Sequence, residues 1–159
     1  MSAIDAIRSC EYLYLDGISE PQVNVLRIVI LEAKTGDVIT DAALAAELDE
    51  TLRSILKGSR IIDHFKGCRK FELLWTSYIS YSVVNESYSN GEPKPANTKV
   101  RLFAEYERSN YLEYLLKATF ATAEYPGPYR HWAILCQNHT IDIASQVHPI
   151  VRELNSGQG

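Results

Sequence analysis

The sequence contains none of the short motifs that carry phosphate, metalloprotease or calcium chemistry. Its 159 residues hold no glycine-rich phosphate loop, no GxSxG nucleophile elbow, no HExxH zinc motif and no EF-hand loop. No residue pattern therefore identifies a reaction, and we expect neither a cofactor nor a bound metal. These absences favour a binding protein over an enzyme.

Cysteine is scarce, and its spacing argues against a disulfide framework. Cys10, Cys68 and Cys136 are an odd number, lie far apart and form no CxxC pair, a usage typical of reduced thiols in cytosolic proteins. The first residues lack a basic region followed by an apolar run, so no signal peptide is predicted. No apolar run approaches the ~18 residues required to cross a bilayer. We therefore expect a soluble, cytoplasmic protein without membrane association.

Positive charge is also in short supply. Lys and Arg number 16 against 20 Asp and Glu, which gives a formal net charge of -4 and a sequence pI near 5.6. Nucleic-acid-binding proteins usually carry a basic footprint, so we expect no nucleic-acid partner. The length is close to the common size of one domain. It predicts a single domain over residues 1–159, with a mobile tail at 155–159.

Alternation of side chains predicts a long strand at 69–84, which we place near the centre of the fold. Aromatic and β-branched residues recur there with the period of two that is typical of strands. The odd-numbered face is expected to form the core and consists of Phe71, Leu73, Trp75, Ile79, Tyr81 and Val83, with Ser77 as its small polar member. A strand of this length is expected to bend or bulge around Ser77.

Shorter alternating runs predict further strands at 11–15, 22–33, 100–106, 131–137 and 140–145. We expect 100–106 to pair with 69–84 as a long hairpin. The connecting loop at 85–99 contains an Asn-Gly pair and two prolines, which are typical of turns and loops.

Two segments show the apolar period of an amphipathic helix. Residues 109–119 begin at Ser109, a residue typical of helix N-caps, and residues 41–57 carry an apolar stripe of Leu44, Leu48, Leu52, Ile55 and Leu56. A short last helix is predicted at 150–154. The whole pattern predicts an α+β fold: a single twisted, mostly antiparallel sheet of five or six strands with two main helices packed on it.

The polar face of the long strand offers a surface for a partner. Glu72, Thr76, Tyr78 and Ser80 share this face, and Tyr12 and Tyr14 share a face of the first strand. Tyrosine combines a large contact area with a polar tip and is enriched at protein interfaces. The leading hypothesis is therefore a non-catalytic, soluble binding protein that holds another protein or a small ligand. A small acidic bacterial protein that neutralises a toxin or effector, an immunity-type protein, is one concrete form.

The alternative hypothesis is a small enzyme or metal-binding protein with a site near the C-terminal hairpin. Imidazole and carboxylate groups bind metals, and this region contains His131, His139, Asp142 and His148, whose spacing matches no established metal motif. Two weaker candidates are a Cys136 thiol beside His139 and a carboxylate pair of Glu72 and Glu105. A third hypothesis is homo-oligomerisation through a sheet edge or the apolar side of the second helix.

Overall fold

Strands account for most of the regular structure of the chain. The computed structural model describes residues 2–46, 49–90 and 102–154. Within these residues the strands are β1 (Tyr12–Gln22), β2 (Val25–Val38), β3 (Arg60–Asp63), β4 (Lys70–Trp75), β5 (Ser80–Asn85), β6 (Phe103–Tyr106), β7 (Arg130–Leu135), β8 (His139–Ser145) and β9 (Ile150–Leu154). The helices are α1 (Ala3–Arg8), α2 (Asp41–Ala45), α3 (Glu50–Leu56) and α4 (Asn110–Ala118), and Glu86–Tyr88 forms a 3₁₀ turn. The predicted α+β class is confirmed.

The strands form two sheets where the sequence predicts one. Sheet 1 has the order β1-β2-β4-β9, with β3 paired to the C-terminal part of β2, and sheet 2 has the order β5-β8-β7-β6. All strand pairs of the described residues are antiparallel, which agrees with the predicted mostly antiparallel sheet. The predicted single sheet of five or six strands is therefore corrected to sheets of five and four strands. The reason is that the segment 69–84 does not continue as one strand.

Residues 76–79 carry the chain from sheet 1 to sheet 2. The first two residues of this crossover are exposed polar side chains that interrupt the apolar alternation. Two hydrogen bonds fix the crossover to β8. The Ser145 hydroxyl donates to the Ser77 carbonyl (2.6 Å), and the Ile79 N–H donates to the Ala144 carbonyl (2.8 Å). The bend predicted near Ser77 is thus a change of sheet.

The main core lies between the two sheets. Sheet 1 contributes Leu13, Leu26, Ile28, Ile30, Phe71, Leu73 and Trp75, and sheet 2 contributes Phe103, Trp132, Ile134, Ile141 and Ile143. The rings of Trp75 and Trp132 meet edge to face with centroids 6.1 Å apart. Helix α1 adds Ala6 and Ile7 to this core. Each sheet therefore has an inner face, turned toward the core, and an outer face.

Helix α4 covers part of the outer face of sheet 2. Its residues Leu112 and Leu115 are buried and form a second apolar cluster with Ala144 of β8. Successive residues of a strand point to opposite faces. Because Ile143 points to the inner face, Ala144 points to the outer face. Ser109 caps the helix as predicted, because its hydroxyl accepts the Leu112 N–H at 3.1 Å. Sheet 2 thus lies between sheet 1 and α4.

The odd-numbered core face predicted for 69–84 is confirmed in β4 and wrong in β5. Tyr81 and Val83 pair with Ile143 and Ile141 of β8 and so share the inner face. Both remain exposed because β5 is an edge strand of sheet 2. The even-numbered side chains of β5 are half-buried on the outer face, the face that carries α4.

The first hairpin is longer than the two predicted strands. The chain turns at Val23–Asn24, where Asn24 adopts the left-handed conformation with φ 62°, a region that Asn tolerates better than most residues. Gly17 marks an irregularity in the register of β1 with β2.

Three other predicted elements are corrected. The helix expected at 41–57 is two short helices, because Asp49 starts α3 by accepting the Leu52 N–H at 2.8 Å. The helix expected at 150–154 is the strand β9, since pairing with β4 satisfies its backbone. The segment 100–106 contributes β6, which pairs with β7 at the edge opposite to β5, so the expected hairpin with 69–84 does not form.

Three predicted elements are confirmed to within two residues: the strands at 131–137 and 140–145 and the helix at 109–119. Leu48 and the tail at 155–159 lie outside the described residues. The single-domain assignment stays a prediction. No helix in the described ranges combines the length and the apolarity needed to cross a membrane.

A buried ion pair joins β2 to the start of β4. Glu32 is nearly inaccessible and lies opposite inner-face Leu13. Arg69 donates to both carboxylate oxygens of Glu32 from Nε and Nη2, each at 2.9 Å, and its backbone N–H adds a third bond of 2.8 Å. The hydrogen bonds from Arg69 are the main cause that lowers the pKa of Glu32 to about 2. The pair therefore stabilises the fold only while Glu32 is ionised.

The substitution Glu32→Gln tests this pair. It leaves the Arg69 guanidinium without its carboxylate, which we expect to lower the free energy of unfolding near neutral pH by ~3 kcal/mol. Because the pKa of Glu32 falls from 4.5 to about 2 on folding, the stabilisation is complete above pH 4.5 and is lost as the pH falls toward 2. Urea denaturation across this range should show the difference between parent and variant shrinking in acid.

Asp16→Asn is the matched control, since Asp16 forms an exposed ion pair of 2.8 Å with Lys70 in the same sheet. Exposed pairs contribute ~0–1 kcal/mol, so this variant should unfold close to the parent. Equal losses of stability in Glu32→Gln and Asp16→Asn would contradict a special role for the buried pair.

Candidate functional site

A histidine and a carboxylate meet on the outer face of sheet 2. His131 of β7 and Asp142 of β8 are diagonal neighbours, because His131 pairs with Ala144 and Asp142 pairs with Ala133. Nε2 of His131 lies 2.9 Å from Oδ1 of Asp142, a distance at which an imidazole N–H donates to a carboxylate. The imidazole is fully buried, whereas the Asp142 side chain retains 19% of its accessible surface. His131 thus holds Asp142 from inside the protein.

Two tyrosine rings enclose His131. Tyr106, its partner on β6, stacks on the imidazole with centroids 5.2 Å apart. Tyr111, in the first turn of α4, approaches from the helix side at 5.1 Å. The Tyr111 hydroxyl donates to Oγ of Ser80 at 3.1 Å, which joins the helix to β5. Because the imidazole is enclosed in this way, only the carboxylate of the pair can meet a ligand.

A pocket of about 360 Å³ opens beside Asp142, between β5 and the start of α4. It is lined by Ser82 and Val84 of β5, by residues 88–90, and by Asn110, Tyr111 and Asp142. Asp142 is the only charged side chain among these described residues. The other polar groups are hydroxyls and amides, which bind ligands by hydrogen bonds without adding charge.

One tyrosine of the site and two thiols of the core are held in their protonated forms. Burial is the main cause that raises the pKa of Tyr111 to about 12, and the charge of Asp142 adds to it. Burial raises the pKa of the Cys136 thiol to about 12. Burial, followed by the charge of Glu32, raises the pKa of Cys10 to about 11. Thiols and phenols with such pKa values are poor nucleophiles and bases at neutral pH.

The structure brings together two of the four residues of the predicted His/Asp site. His131 and Asp142 meet, whereas His139 alternates onto the same face of β8 as Ile141, on the other side of the sheet. His148 follows β8 and packs edge to face on inner-face Trp132 with centroids 5.5 Å apart. Among the side chains that the structure describes, no group of three His, Cys, Asp or Glu residues could hold a metal ion.

The two weaker candidates do not assemble. Cys136 is buried in the core between the sheets, and the contact between its N–H and the His139 carbonyl (2.9 Å) is a backbone hydrogen bond. Glu72 and Glu105 lie in different sheets and pair with arginines, Glu72 with Arg27 at 2.5 Å and Glu105 with Arg130 at 3.2 Å.

The predicted partner surface is divided among three places. Tyr12, Tyr14 and Glu72 share the outer face of sheet 1, as their cross-strand partners show. Thr76 and Tyr78 lie in the crossover, where the Tyr78 hydroxyl donates to Glu20 at 2.5 Å. Ser80 begins β5 and accepts the hydrogen bond from Tyr111 described above. Of the six predicted residues, only Ser80 therefore adjoins the Asp142 pocket.

The site residues predicted from the sequence did not include Tyr106, Tyr111 or Ser82. Ser82 shares the even-numbered face of β5 with Ser80, so the period of two carried a usable signal. No local pattern marks Tyr106 or Tyr111, because their contacts with His131 depend on how β6 and α4 pack on sheet 2.

Comparisons with protein-family models, curated proteins and solved structures return no match for this chain. The function must therefore be argued from the geometry of the site.

Thiol reactivity tests whether any cysteine is available for chemistry. All three cysteines are free and buried. We therefore expect none of them to react with an aromatic disulfide that modifies thiols in the native chain, and all three to react with it in denaturant. The variant Ser87→Cys, which adds a thiol at an exposed position of the 3₁₀ turn, serves as the control and should react at once. Rapid modification of Cys136 in the native chain would contradict the expectation that this thiol is inert and would favour the enzymatic hypothesis.

Proposed function

We propose that this chain is a non-catalytic binding protein that holds a basic side chain of a partner protein in the pocket beside Asp142. The observation that carries the proposal is a partly exposed carboxylate, fixed by a fully buried histidine, as the only charge among the described side chains that line the pocket. A cation of a ligand gains most from a carboxylate that is already oriented, because little side-chain freedom is lost on binding.

The surroundings of the pocket favour a protein partner. Tyr88 at the pocket is 82% exposed, and Tyr81 is exposed on the inner side of the adjoining strand. Exposed tyrosines are typical anchors of protein interfaces. The net charge of -4 also favours the approach of a basic partner. Neutralisation of a basic toxin or effector in the cytoplasm is one form of this proposal.

The same geometry supports a binding role over catalysis. His131, the residue best suited to act as a general base, is enclosed by two tyrosines and faces Asp142. A general base must lie within hydrogen-bond reach of the proton that it removes. The buried thiols and the protonated Tyr111 offer no alternative base or nucleophile.

N-acetyl-arginine amide is a minimal probe of the pocket. We expect weak, saturable binding to the full chain, which is measured by changes in the NMR chemical shifts of backbone amides. The largest changes should occur at Ser82, Tyr111 and Asp142. Asp142→Asn should abolish the saturable shifts, because it removes the charge of the one ionisable carboxylate that the structure describes in the pocket lining. N-acetyl-citrulline amide, which has the same shape without the charge, should not bind.

Glu107→Gln is the control for non-specific attraction, since Glu107 is a largely exposed carboxylate that pairs with Arg130 outside the pocket. This variant should bind N-acetyl-arginine amide as the parent does. Shifts that persist in Asp142→Asn, or that disappear in Glu107→Gln, would contradict the assignment of the pocket.

A further inference from the structure

The free edge of sheet 2 at β5 lacks the features by which proteins protect exposed strand edges. Such edges are usually blunted by charge, proline, bulges or short length. β5 has six residues, pairs with β8 in a continuous register, and contains only Ser, Tyr, Val and Asn. Within residues 2–46, 49–90 and 102–154, no second strand pairs with it.

The other edge strands of the described residues are protected. β1 contains Pro21 and two shifts of register, and β9 carries Arg152 and Glu153. β3 and β6 are each four residues long and include at least one charged side chain. The contrast identifies β5 as the edge that is suited to accept another strand.

The same strand forms one wall of the Asp142 pocket. Ser82 and Val84 line the pocket, and Ser82 lies directly opposite Asp142 in the register of β5 with β8. Neighbouring strands lie ~4.8 Å apart, so a strand added to β5 would run ~10 Å from β8. If a Lys or Arg of that strand lies on the outer face of sheet 2, its side chain is long enough to reach past Ser82 to the Asp142 carboxylate.

We propose that β5 pairs with an extended segment of the partner protein, and that a basic residue of this segment enters the pocket beside Asp142. The inference rests on the proposed function and adds the conformation of the partner to it. In this mode of recognition, backbone hydrogen bonds supply affinity and alternate side chains supply specificity. The exposed Tyr81 and Val83 contact the opposite set of side chains on the added strand.

A second copy of this chain fits the edge less well than a basic segment does. β5 paired with another β5 brings no cation to Asp142, because the strand has no charged residue. The net charge of -4 on each copy also opposes self-association. A segment with alternating β-forming residues and one Arg or Lys satisfies both the strand edge and the carboxylate.

Synthetic peptides test the proposal on the full chain. The first is a short strand-forming peptide of alternating Thr and Val with a central Arg, and in the second Pro replaces each Val. We expect the first to bind ~tenfold or more tightly than N-acetyl-arginine amide, because a few added hydrogen bonds suffice for this gain. The proline peptide should bind only as well as the amide. Hydrogen exchange should slow at alternate amides of β5 when the first peptide binds.

Edge substitutions supply the matched variants. Val83→Lys places a charge on the β5 edge and should weaken the strand peptide without affecting N-acetyl-arginine amide. Ile150→Lys is the control, because Ile150 lies on the edge strand of sheet 1 with similar exposure, 44% against 40% for Val83. It should leave both probes unaffected.

The outcomes separate this inference from the proposed function. If the strand peptide binds no better than N-acetyl-arginine amide, the strand pairing is wrong and the pocket proposal stands. If neither probe binds, both proposals fail. A third peptide has citrulline in place of the central Arg. If it binds as tightly as the Arg peptide, β5 accepts strands without a contribution from the Asp142 pocket, and the proposed combination of strand pairing and a basic side chain in the pocket is wrong. A dimer of the free chain that Val83→Lys dissociates would assign the edge to a second copy and overturn it as well.

Discussion

The two sheets share a single apolar core, and this sharing decides where polar side chains can lie. Trp132 of β7 and Ile143 of β8 face the core, in which the rings of Trp75 and Trp132 are in contact. Successive strand residues point to opposite faces, so His131 and Asp142, each adjacent to a core residue, must lie on the outer face. The hydrogen-bonded His131 and Asp142 are thus placed by the apolar residues beside them.

Helix α4 covers only part of the outer face of sheet 2. Nine helical residues span only ~13.5 Å, and Leu112 and Leu115 pack at the Ala144 end of β8. Tyr111 in the first turn of the helix helps to enclose His131, whereas the Asp142 side chain keeps part of its accessible surface. A buried imidazole therefore orients a carboxylate that remains partly accessible, which is the feature on which the proposed cation site depends.

The sequence patterns predicted well which side chains share a face of a strand, but they predicted poorly which strands are neighbours in a sheet. The alternation in 69–84 correctly indicated extended backbone and the buried side chains of β4, yet nothing local showed that 76–79 would lead into another sheet. A short apolar segment such as 150–154 fits both a helix and a strand, and its pairing with β4 decided the outcome. His131 and Asp142 were recognised as candidates from their residue types. The contact between His131 and Asp142 depends on the register of β7 with β8. The contact of Tyr111 with His131 depends on how α4 packs on sheet 2.

The central claim is that a buried imidazole holds the Asp142 carboxylate in place, and the proton on Nε2 of His131 reports on this directly. Nitrogen-15 NMR of the histidine side chains in the free chain measures the exchange of this proton with water. The account predicts a slowly exchanging proton on Nε2 of His131 that is lost or exchanges rapidly in Asp142→Asn, whereas the ring of the largely exposed His148 exchanges rapidly in both. Rapid exchange at His131 in the parent chain, equal to that of His148, would contradict the account.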